Sequence, residues 1–246
     1  MADNSEISAN LVVVVTGAAG GIGSATCEEF LRRGATVIGL DRAFPEGSTA
    51  EGIDRRTVDV TDVAGVRATA DEIVDRYGHI DVWVNNAGML GRSPSLELEE
   101  DAWNKTLDVN LTATFFGAQA AARHMVKRGK GTIINLSSYA GLKARPNCSD
   151  YASAKAGVAH LTECLALEWG PLGIRVNGVA PGYIDTPMSA WMHADEEQME
   201  WFKARSPLGR LGETSEVAKT IAYLASDDAS YVTGQVMLVD GGFAKS

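Results

Sequence analysis

The chain has 246 residues, of which 45% are hydrophobic, and it carries a formal net charge of −10. This length and composition are typical of one large α/β domain, while an acidic chain without a Lys/Arg cluster argues against a nucleic-acid partner. The first ten residues are polar and acidic, unlike a signal peptide, and the apolar run 11–15 is too short to cross a bilayer. We therefore expect a cytosolic protein with neither a nucleic-acid nor a membrane partner.

The spacing of the cysteines and histidines indicates neither a disulfide nor a metal site. Cys27, Cys148 and Cys164 show no CxxC spacing, and the four histidines form no ligand-like cluster along the chain. We expect neither a disulfide framework nor a structural zinc site.

Short apolar runs alternate with longer amphipathic segments. Nearly continuous β-branched runs predict buried strands at 11–16, 35–40, 80–85, 131–137, 174–180 and 235–240, with a further short strand at 55–60. The segments between them, several with N-capping residues, predict helices near 22–33, 62–77, 99–128, 150–169 and 214–226. This alternation predicts one α/β domain over 1–246, a doubly wound, mostly parallel, seven-stranded sheet with helices on both faces.

The segment 184–210 interrupts this rhythm, because it contains aromatic and Met residues but no predicted strand. An excursion of this length between strand–helix units is usually a lid or a substrate-binding insert. The alternative is a helical hairpin on the surface or a contact between subunits.

A glycine-rich turn follows the first predicted strand, with Gly17, Gly21 and Gly23 in the stretch VVVVTGAAGGIGSA. Glycine permits a tight turn there and lets backbone N–H groups approach a pyrophosphate at the start of the next helix. An ordinary turn is the alternative, but the position between a strand and a helix favours phosphate binding.

Asp41 lies at the end of the second predicted strand. A carboxylate there can accept hydrogen bonds from both ribose hydroxyls of an adenosine, and it repels a 2′-phosphate, which favours NAD over NADP. The glycine turn offers no Lys or Arg for a 2′-phosphate, although the adjacent Arg42 could soften the preference. A plain turn residue is the alternative for Asp41.

These features alone do not distinguish a dehydrogenase from a methyltransferase. A doubly wound methyltransferase can also have a glycine-rich first turn and an acidic residue at the end of the second strand. A P-loop ATPase fits less well, because no GKS or GKT follows the glycines.

Polar residues should meet beyond the carboxyl ends of the strands, where open α/β sheets bind ligands. Asn110 lies inside a predicted helix, where Asn is a poor helix former, so its role is either functional or that of an exposed polar residue. Tyr151 and Lys155 are one helical-neighbour spacing apart, which places the phenol and the ammonium on one face.

Together these motifs resemble the classical short-chain dehydrogenase/reductase family over essentially the whole chain. The resemblance rests on TGAAGGIG, NNAG, Asn110, SSYAG, YASAK, RVNGVAPG and VTGQVMLVDGG, in that order. It implies a Rossmann-type fold, oxidoreductase chemistry at CH–OH groups and a catalytic tetrad of Asn110, Ser138, Tyr151 and Lys155. Ser138 is chosen over Ser137 because the family's serine is followed by two residues and a glycine, here Gly141.

The resemblance also implies a mechanism. Tyr151 exchanges a proton with the substrate hydroxyl or carbonyl, Ser138 hydrogen-bonds the same oxygen, and the nicotinamide C4 exchanges a hydride with the carbon. Lys155 stabilises the phenolate and holds the nicotinamide ribose, and Asn110 supports Lys155 through ordered water. No metal is required, because the tyrosine and serine polarise the carbonyl.

Further site residues follow from the family's motifs and from their position at strand ends. The expected cofactor-binding residues are Gly17, Gly21, Ile22, Gly23, Asp41, Arg42, Asp59, Val60, Asn86, Ala87, Gly88, Tyr151, Lys155, Pro181, Gly182, Ile184 and Thr186. The expected substrate-pocket residues are Ser138, Ala140, Arg145, Cys148, Tyr183, Met188 and Trp191. Lys143 and Arg145 could meet an anionic or polyhydroxylated substrate, or they are two solvated loop charges.

The sequence therefore predicts an NAD-dependent dehydrogenase of a small secondary alcohol, polyol or sugar-like compound. A 3-oxoacyl thioester reductase is the alternative within the family, disfavoured because biosynthetic reduction usually draws on NADPH, which Asp41 opposes. A non-catalytic NAD-binding protein and a methyltransferase are disfavoured by the complete tetrad. The resemblance further implies a homotetramer in which the helices near 99–128 and 150–169 and the C-terminal strand region pack between subunits.

Overall fold

The computed structural model describes residues 11–45, 50–192 and 196–245. Seven strands form one sheet in the order β3-β2-β1-β4-β5-β6-β7. Their bounds are β1 (Val12–Thr16), β2 (Thr36–Asp41), β3 (Asp54–Thr57), β4 (Val82–Asn85), β5 (Gly131–Leu136), β6 (Ile174–Pro181) and β7 (Val236–Val239). Every pairing between these strands is parallel, so the predicted doubly wound parallel sheet is confirmed.

Helices cover both faces of the sheet. They are α1 (Gly21–Arg32), α2 (Val63–Tyr77), α3 (Glu100–Leu107), α4 (Ala113–Arg128), α5 (Ser149–Trp169), α6 (Glu196–Arg205) and α7 (Thr214–Ala225). Val13 and Val15 of β1 pack in a cluster with α1 and α7, whereas Val12 and Val14 pack with α2, α4 and α5. Successive strand residues point to opposite faces, which is why a strand covered on both sides is apolar throughout.

The predicted helix over 99–128 is divided. A π-helical turn, Asp108–Thr112, separates α3 from α4, and Asn110 lies in its middle. The Asn110 side chain is fully buried, and its Nδ2 donates to the carbonyl oxygens of Thr106 and Met89, each at 2.9 Å. The exposed-residue alternative for Asn110 is therefore wrong, and π-helical turns of this kind often occur at functional sites.

The two edge strands differ from the predictions. β3 ends at Thr57, so the strand predicted at 55–60 is shorter and shifted toward the N-terminus. β7 was predicted to be buried, but it is only partly covered, and Met237 keeps 36% of its surface exposed. An edge strand has a neighbour on one side only, a circumstance that the composition of the strand does not encode.

The interrupting segment 184–210 folds largely as helix, namely a 3₁₀ turn, Pro187–Met192, and α6. Phe202 of α6 is buried among other aromatic side chains. We call this group the aromatic cluster; its members are Tyr139, Tyr183, Phe202 and Phe243, and Trp201 lies at its rim. The segment is thus held by the packing of Phe202 against Phe243, which lies in the turn near the C-terminus. The Trp191 side chain lies outside the described part of the structure.

Within the described ranges, no helix is long and apolar enough to cross a membrane, and no group of His, Cys, Asp and Glu side chains is arranged to hold a metal ion. The three cysteines are free thiols.

Candidate active site

The glycine-rich turn is held in place by β4. Gly17 has a φ of +66°, which favours glycine, and a Cβ there would lie 2.8 Å from the Cα of Ala87. Asn86 Nδ2 donates to the carbonyl oxygens of Thr16 and Gly17, at 2.9 and 3.1 Å. The backbone N–H groups of Asn86 and Ala87 both donate to Thr16 Oγ1 at 3.0 Å. The NNAG motif therefore shapes the turn that opens α1.

Asp41, at the end of β2, faces the same turn. Its Oδ2 accepts a hydrogen bond from the Ala19 N–H at 3.0 Å, and its Oδ1 accepts one from the Arg42 N–H at 2.7 Å. Two backbone donors thus fix the carboxylate beside the glycine turn. One strand further along, Asp59 accepts hydrogen bonds from the N–H and hydroxyl of Thr61, which lower the pKa of Asp59.

The end of β5 meets α5 at Lys155. Lys155 is 3% exposed, and its Nζ donates to the Leu136 carbonyl oxygen at 2.7 Å. The Ser137 hydroxyl donates to the Lys155 carbonyl oxygen at 2.8 Å, so it is directed at the helix backbone. The Ser138 hydroxyl lies close enough to the Tyr151 phenol to lower its pKa, and the Lys155 Nζ lies 5.8 Å from the centre of the Tyr151 ring. The structure therefore brings the predicted Ser138, Tyr151 and Lys155 together.

Asn110, the fourth residue of the predicted tetrad, is fixed by hydrogen bonds to Met89. Besides its two donated bonds, its Oδ1 accepts a hydrogen bond from the Met89 N–H at 3.2 Å. These bonds tie the π-helical turn to the chain just after NNAG. The proposed link from Asn110 to Lys155 through water stays a prediction.

Burial governs the two titratable groups. It lowers the pKa of Lys155 to about 8, because the ammonium is removed from water. It raises the pKa of the Tyr151 phenol, while the hydrogen bond with Ser138 and the positive charge of Arg145 act in the opposite direction. Tyr151 is thus held in its neutral form, suited to donate a proton.

All these groups line one cavity of about 760 Å³, within the usual range for small-molecule and cofactor sites. Every residue predicted to bind a cofactor, and every tetrad residue, belongs to its lining. The lining also includes Arg145, Tyr183 and Met188 of the predicted substrate residues.

Two predicted substrate residues lie outside the lining. Ala140 is buried with the aromatic cluster. Cys148 is buried behind the loop, with its Sγ 3.5 Å from the Arg145 carbonyl oxygen, and burial raises the pKa of its thiol.

The sequence reasoning missed one wall of the cavity. Asp101, Asn104, Lys105 and Asp108, on α3 and at the start of the π-helical turn, all line it. Their spacing places them on one face of a helix, so a polar stripe at helical period was the signal that could have identified them.

Comparisons with known proteins agree with this architecture. A family model described as enoyl-(acyl carrier protein) reductase matches residues 17–244. A cis-4-hydroxycyclohexanecarboxylate dehydrogenase from Sinomonas cyclohexanicum is 42% identical over 254 residues, covering 97% of this chain and 98% of the relative. A 3-oxoacyl-acyl-carrier-protein reductase from Thermotoga maritima is 41% identical over 239 residues, covering 94% of this chain and 96% of the relative.

A solved structure is similar over almost the whole chain. The gluconate 5-dehydrogenase from Burkholderia cenocepacia J2315, crystallised in complex with NADP and tartrate, matches with a TM-score of 0.92 and 35% identity. The match covers 99% of this chain and 98% of that one.

The buried Lys155 generates a prediction about stability. Because its pKa falls from 10.5 to about 8 on folding, the protonated side chain costs folding free energy below pH 8, and this cost disappears as the pH rises through 10.5. In the cofactor-free protein, Lys155→Met should raise the free energy of unfolding at pH 7 by on the order of 1–2 kcal/mol, after allowing for the lost hydrogen bond to Leu136. The gain should vanish near pH 10.5.

Urea denaturation at the two pH values measures this difference. Lys143→Met serves as the matched control, because its ammonium lies above the Phe243 ring rather than in the crevice. A Lys155→Met variant whose stability relative to wild type is the same at both pH values would contradict the electrostatic explanation.

Proposed function

Because the chain belongs to the classical short-chain dehydrogenase/reductase family, whose dehydrogenases act on CH–OH groups, we propose that it transfers a hydride between NAD and a secondary alcohol or the corresponding ketone. The observation that carries this proposal is that Ser138, Tyr151 and Lys155 line one cavity together with the glycine turn and Asp41.

The cavity residues fit a dinucleotide. Gly17 leaves the mouth of α1 without side-chain bulk, and the first N–H groups of a helix have no partner within the helix, which suits a pyrophosphate. Asp41 is fixed where an adenosine ribose would lie and is available to its hydroxyls. Thr186 lies against the same helix start, since a Cβ on Gly21 would be 2.9 Å from its Cγ2.

The preference for NAD over NADP rests on this chain's own Asp41. The similar gluconate 5-dehydrogenase structure contains NADP, so similarity of fold does not by itself favour NAD. A carboxylate held by two backbone N–H groups cannot turn away from a 2′-phosphate without losing both bonds, so it should repel NADP.

Proton transfer is the task of the chain's own residues. Tyr151 accepts the proton of the substrate hydroxyl during oxidation, or donates one to the carbonyl oxygen during reduction. Ser138 donates a hydrogen bond to the same oxygen, and the positive charge of Lys155 favours the phenolate. When bound, the nicotinamide supplies the hydride acceptor or donor.

A small secondary alcohol, polyol or sugar-like compound is the favoured substrate. Tyr183 and Met188 offer an apolar surface in the lining, and Arg145 and Ser138 offer polar groups. The similarity to the Thermotoga maritima reductase supports a 3-oxoacyl thioester as the second candidate. The complete tetrad speaks against a non-catalytic NAD-binding protein.

Replacing the general acid tests the reaction. Tyr151→Phe should lower kcat by about 10²- to 10⁴-fold, because the phenol that exchanges the proton is lost. The Kd for NADH should stay within about threefold of wild type, since the glycine turn and Asp41 are unchanged. Activity assays with a panel of alcohols measure kcat, and NADH fluorescence titrations measure the Kd.

The matched control is Tyr77→Phe, because the Tyr77 hydroxyl donates to Asp54 Oδ2 at 2.9 Å and Tyr77 is not in the cavity lining. Wild-type turnover in Tyr151→Phe would refute the proposed mechanism.

The cofactor preference has its own test. Asp41→Ser should lower kcat/KM for NAD by about 10-fold or more, because ribose hydrogen bonds are lost, and raise it for NADP, because the repulsion disappears. Steady-state kinetics with both dinucleotides decide the matter. A wild-type preference for NADP would show that the reading of Asp41 is wrong.

We propose further that the chain assembles as a homotetramer. Large apolar side chains are exposed on α5 and around β7, including Leu167 at 81%, Tyr231 at 102% and Met237 at 36%. Exposed apolar side chains of this size are common in interfaces between subunits. Sedimentation velocity should give a tetramer for wild type and smaller species for Leu167→Glu, which buries a charge in the α5 contact. A monomeric wild type at micromolar concentration would disprove the proposal.

A further inference from the structure

We propose that the substrate is a hydroxy acid, or the corresponding keto acid, whose carboxylate Arg145 binds while its hydroxyl or carbonyl oxygen lies between Tyr151 and Ser138. This inference rests on the proposed function, and it names the substrate class of the same site.

The first support is the position of Arg145 in the cavity wall. It lies on the loop between β5 and α5, and it lines the cavity together with Tyr183 and Met188. Its guanidinium carbon is 5.6 Å from the centre of the Tyr183 ring, and its Nη2 is buried. A guanidinium placed over an aromatic face is partly desolvated and restricted in orientation, which favours bidentate binding of a planar carboxylate.

The second support is the reach of its charge. Burial raises the pKa of Tyr151, Tyr139 and Cys148, and the positive charge of Arg145 partly offsets each rise. Coulomb interactions decline with distance, so the Arg145 charge lies near the Tyr151 phenol, and both residues line the cavity. An anionic substrate is therefore attracted toward the proton-transfer residue.

The third support is the contrast with the neighbouring Lys143. Its Nζ donates to the Phe243 carbonyl oxygen at 3.2 Å and lies 5.2 Å from the centre of the Phe243 ring, and Lys143 is not part of the cavity lining. Lys143 thus holds the C-terminal turn. The sequence offered Lys143 and Arg145 alike as candidates to bind an anion, whereas in the structure only Arg145 of these two lines the cavity.

Among the described residues, Asp150 adjoins Tyr151, and four other aspartates line the cavity. Asp150, which adjoins Tyr151, is buried, and its Oδ2 accepts a hydrogen bond from Thr106 Oγ1 at 2.8 Å. Asp41 and Asp59 line the cavity at the ends of the strands beside the glycine turn, and Asp101 and Asp108 line it from the α3 side. Arg145 instead lines the cavity beside Tyr183, from the loop between β5 and α5.

The experiment compares hydroxy acids with their carboxamides, which keep the skeleton but lose the charge. In wild type, kcat/KM should be higher for the acids. In Arg145→Gln, it should fall by about 10- to 100-fold for the acids, mainly through KM, and by less than about threefold for the carboxamides. Arg145→Lys should restore part of the activity toward acids, and Lys143→Gln should leave both series unchanged.

A structural role of Arg145 gives a different pattern. Either of two results would overturn the inference while leaving the proposed function in place. One is an equal fall in kcat/KM for acids and carboxamides in Arg145→Gln, and the other is an equal kcat/KM for the two series in wild type.

A binding measurement separates this inference from the proposed function. Calorimetry should show that succinate, a carboxylate without an oxidisable hydroxyl, binds the wild-type enzyme saturated with NAD and binds Arg145→Gln about 10-fold or more weakly, with Lys143→Gln unaffected. If no alcohol of any class is oxidised with either dinucleotide, the proposed function fails, and the substrate assignment fails with it. Succinate affinity that does not depend on Arg145 overturns the anion site alone.

Discussion

The contact between the end of β5 and helix α5 at Lys155 is the constraint on which the rest of the site depends. The Ser137 hydroxyl binds the Lys155 carbonyl, and the Lys155 ammonium binds the Leu136 carbonyl, so strand and helix hold each other in both directions. A Cβ on Gly141 would lie 2.6 Å from the Lys155 carbonyl carbon, which explains why a glycine follows the serines. This close approach brings Ser138 and Tyr151 to the same cavity.

A second set of contacts gives the reacting end a fixed relation to the nucleotide end. Thr16 and Asn86 join the glycine turn to β4, and Asn110 joins the chain after β4 to the π-helical turn. Because β1, β4 and β5 are successive neighbours in one parallel sheet, their carboxyl ends open into the same crevice. A dinucleotide bound at the turn would therefore share this crevice with Tyr151, which also lines it.

The sequence was sufficient for the sheet and for most of the residues that line the cavity at strand ends, because strand periodicity and motif order are local signals. It was insufficient where tertiary position decides. The π-helical turn around Asn110 leaves the helical pattern almost unchanged, and the exposure of Met237 follows from the place of β7 at the sheet edge. Lys143 and Arg145 were equivalent in sequence, and only the packing of Phe243 and Tyr183 distinguishes them.

The electrostatics of the crevice connect substrate charge with proton transfer. Burial disfavours both charged forms that oxidation needs, the Tyr151 phenolate and the Lys155 ammonium, and Arg145 opposes the first of these effects. A carboxylate bound at Arg145 would offset that positive charge and raise the pKa of Tyr151 again. Lys155 would then be the remaining side-chain cation beside the phenol, since its Nζ lies 5.8 Å from the ring centre. An anionic substrate would therefore favour neutral Tyr151, the form that donates a proton to a carbonyl, and so make reduction the easier direction near neutral pH.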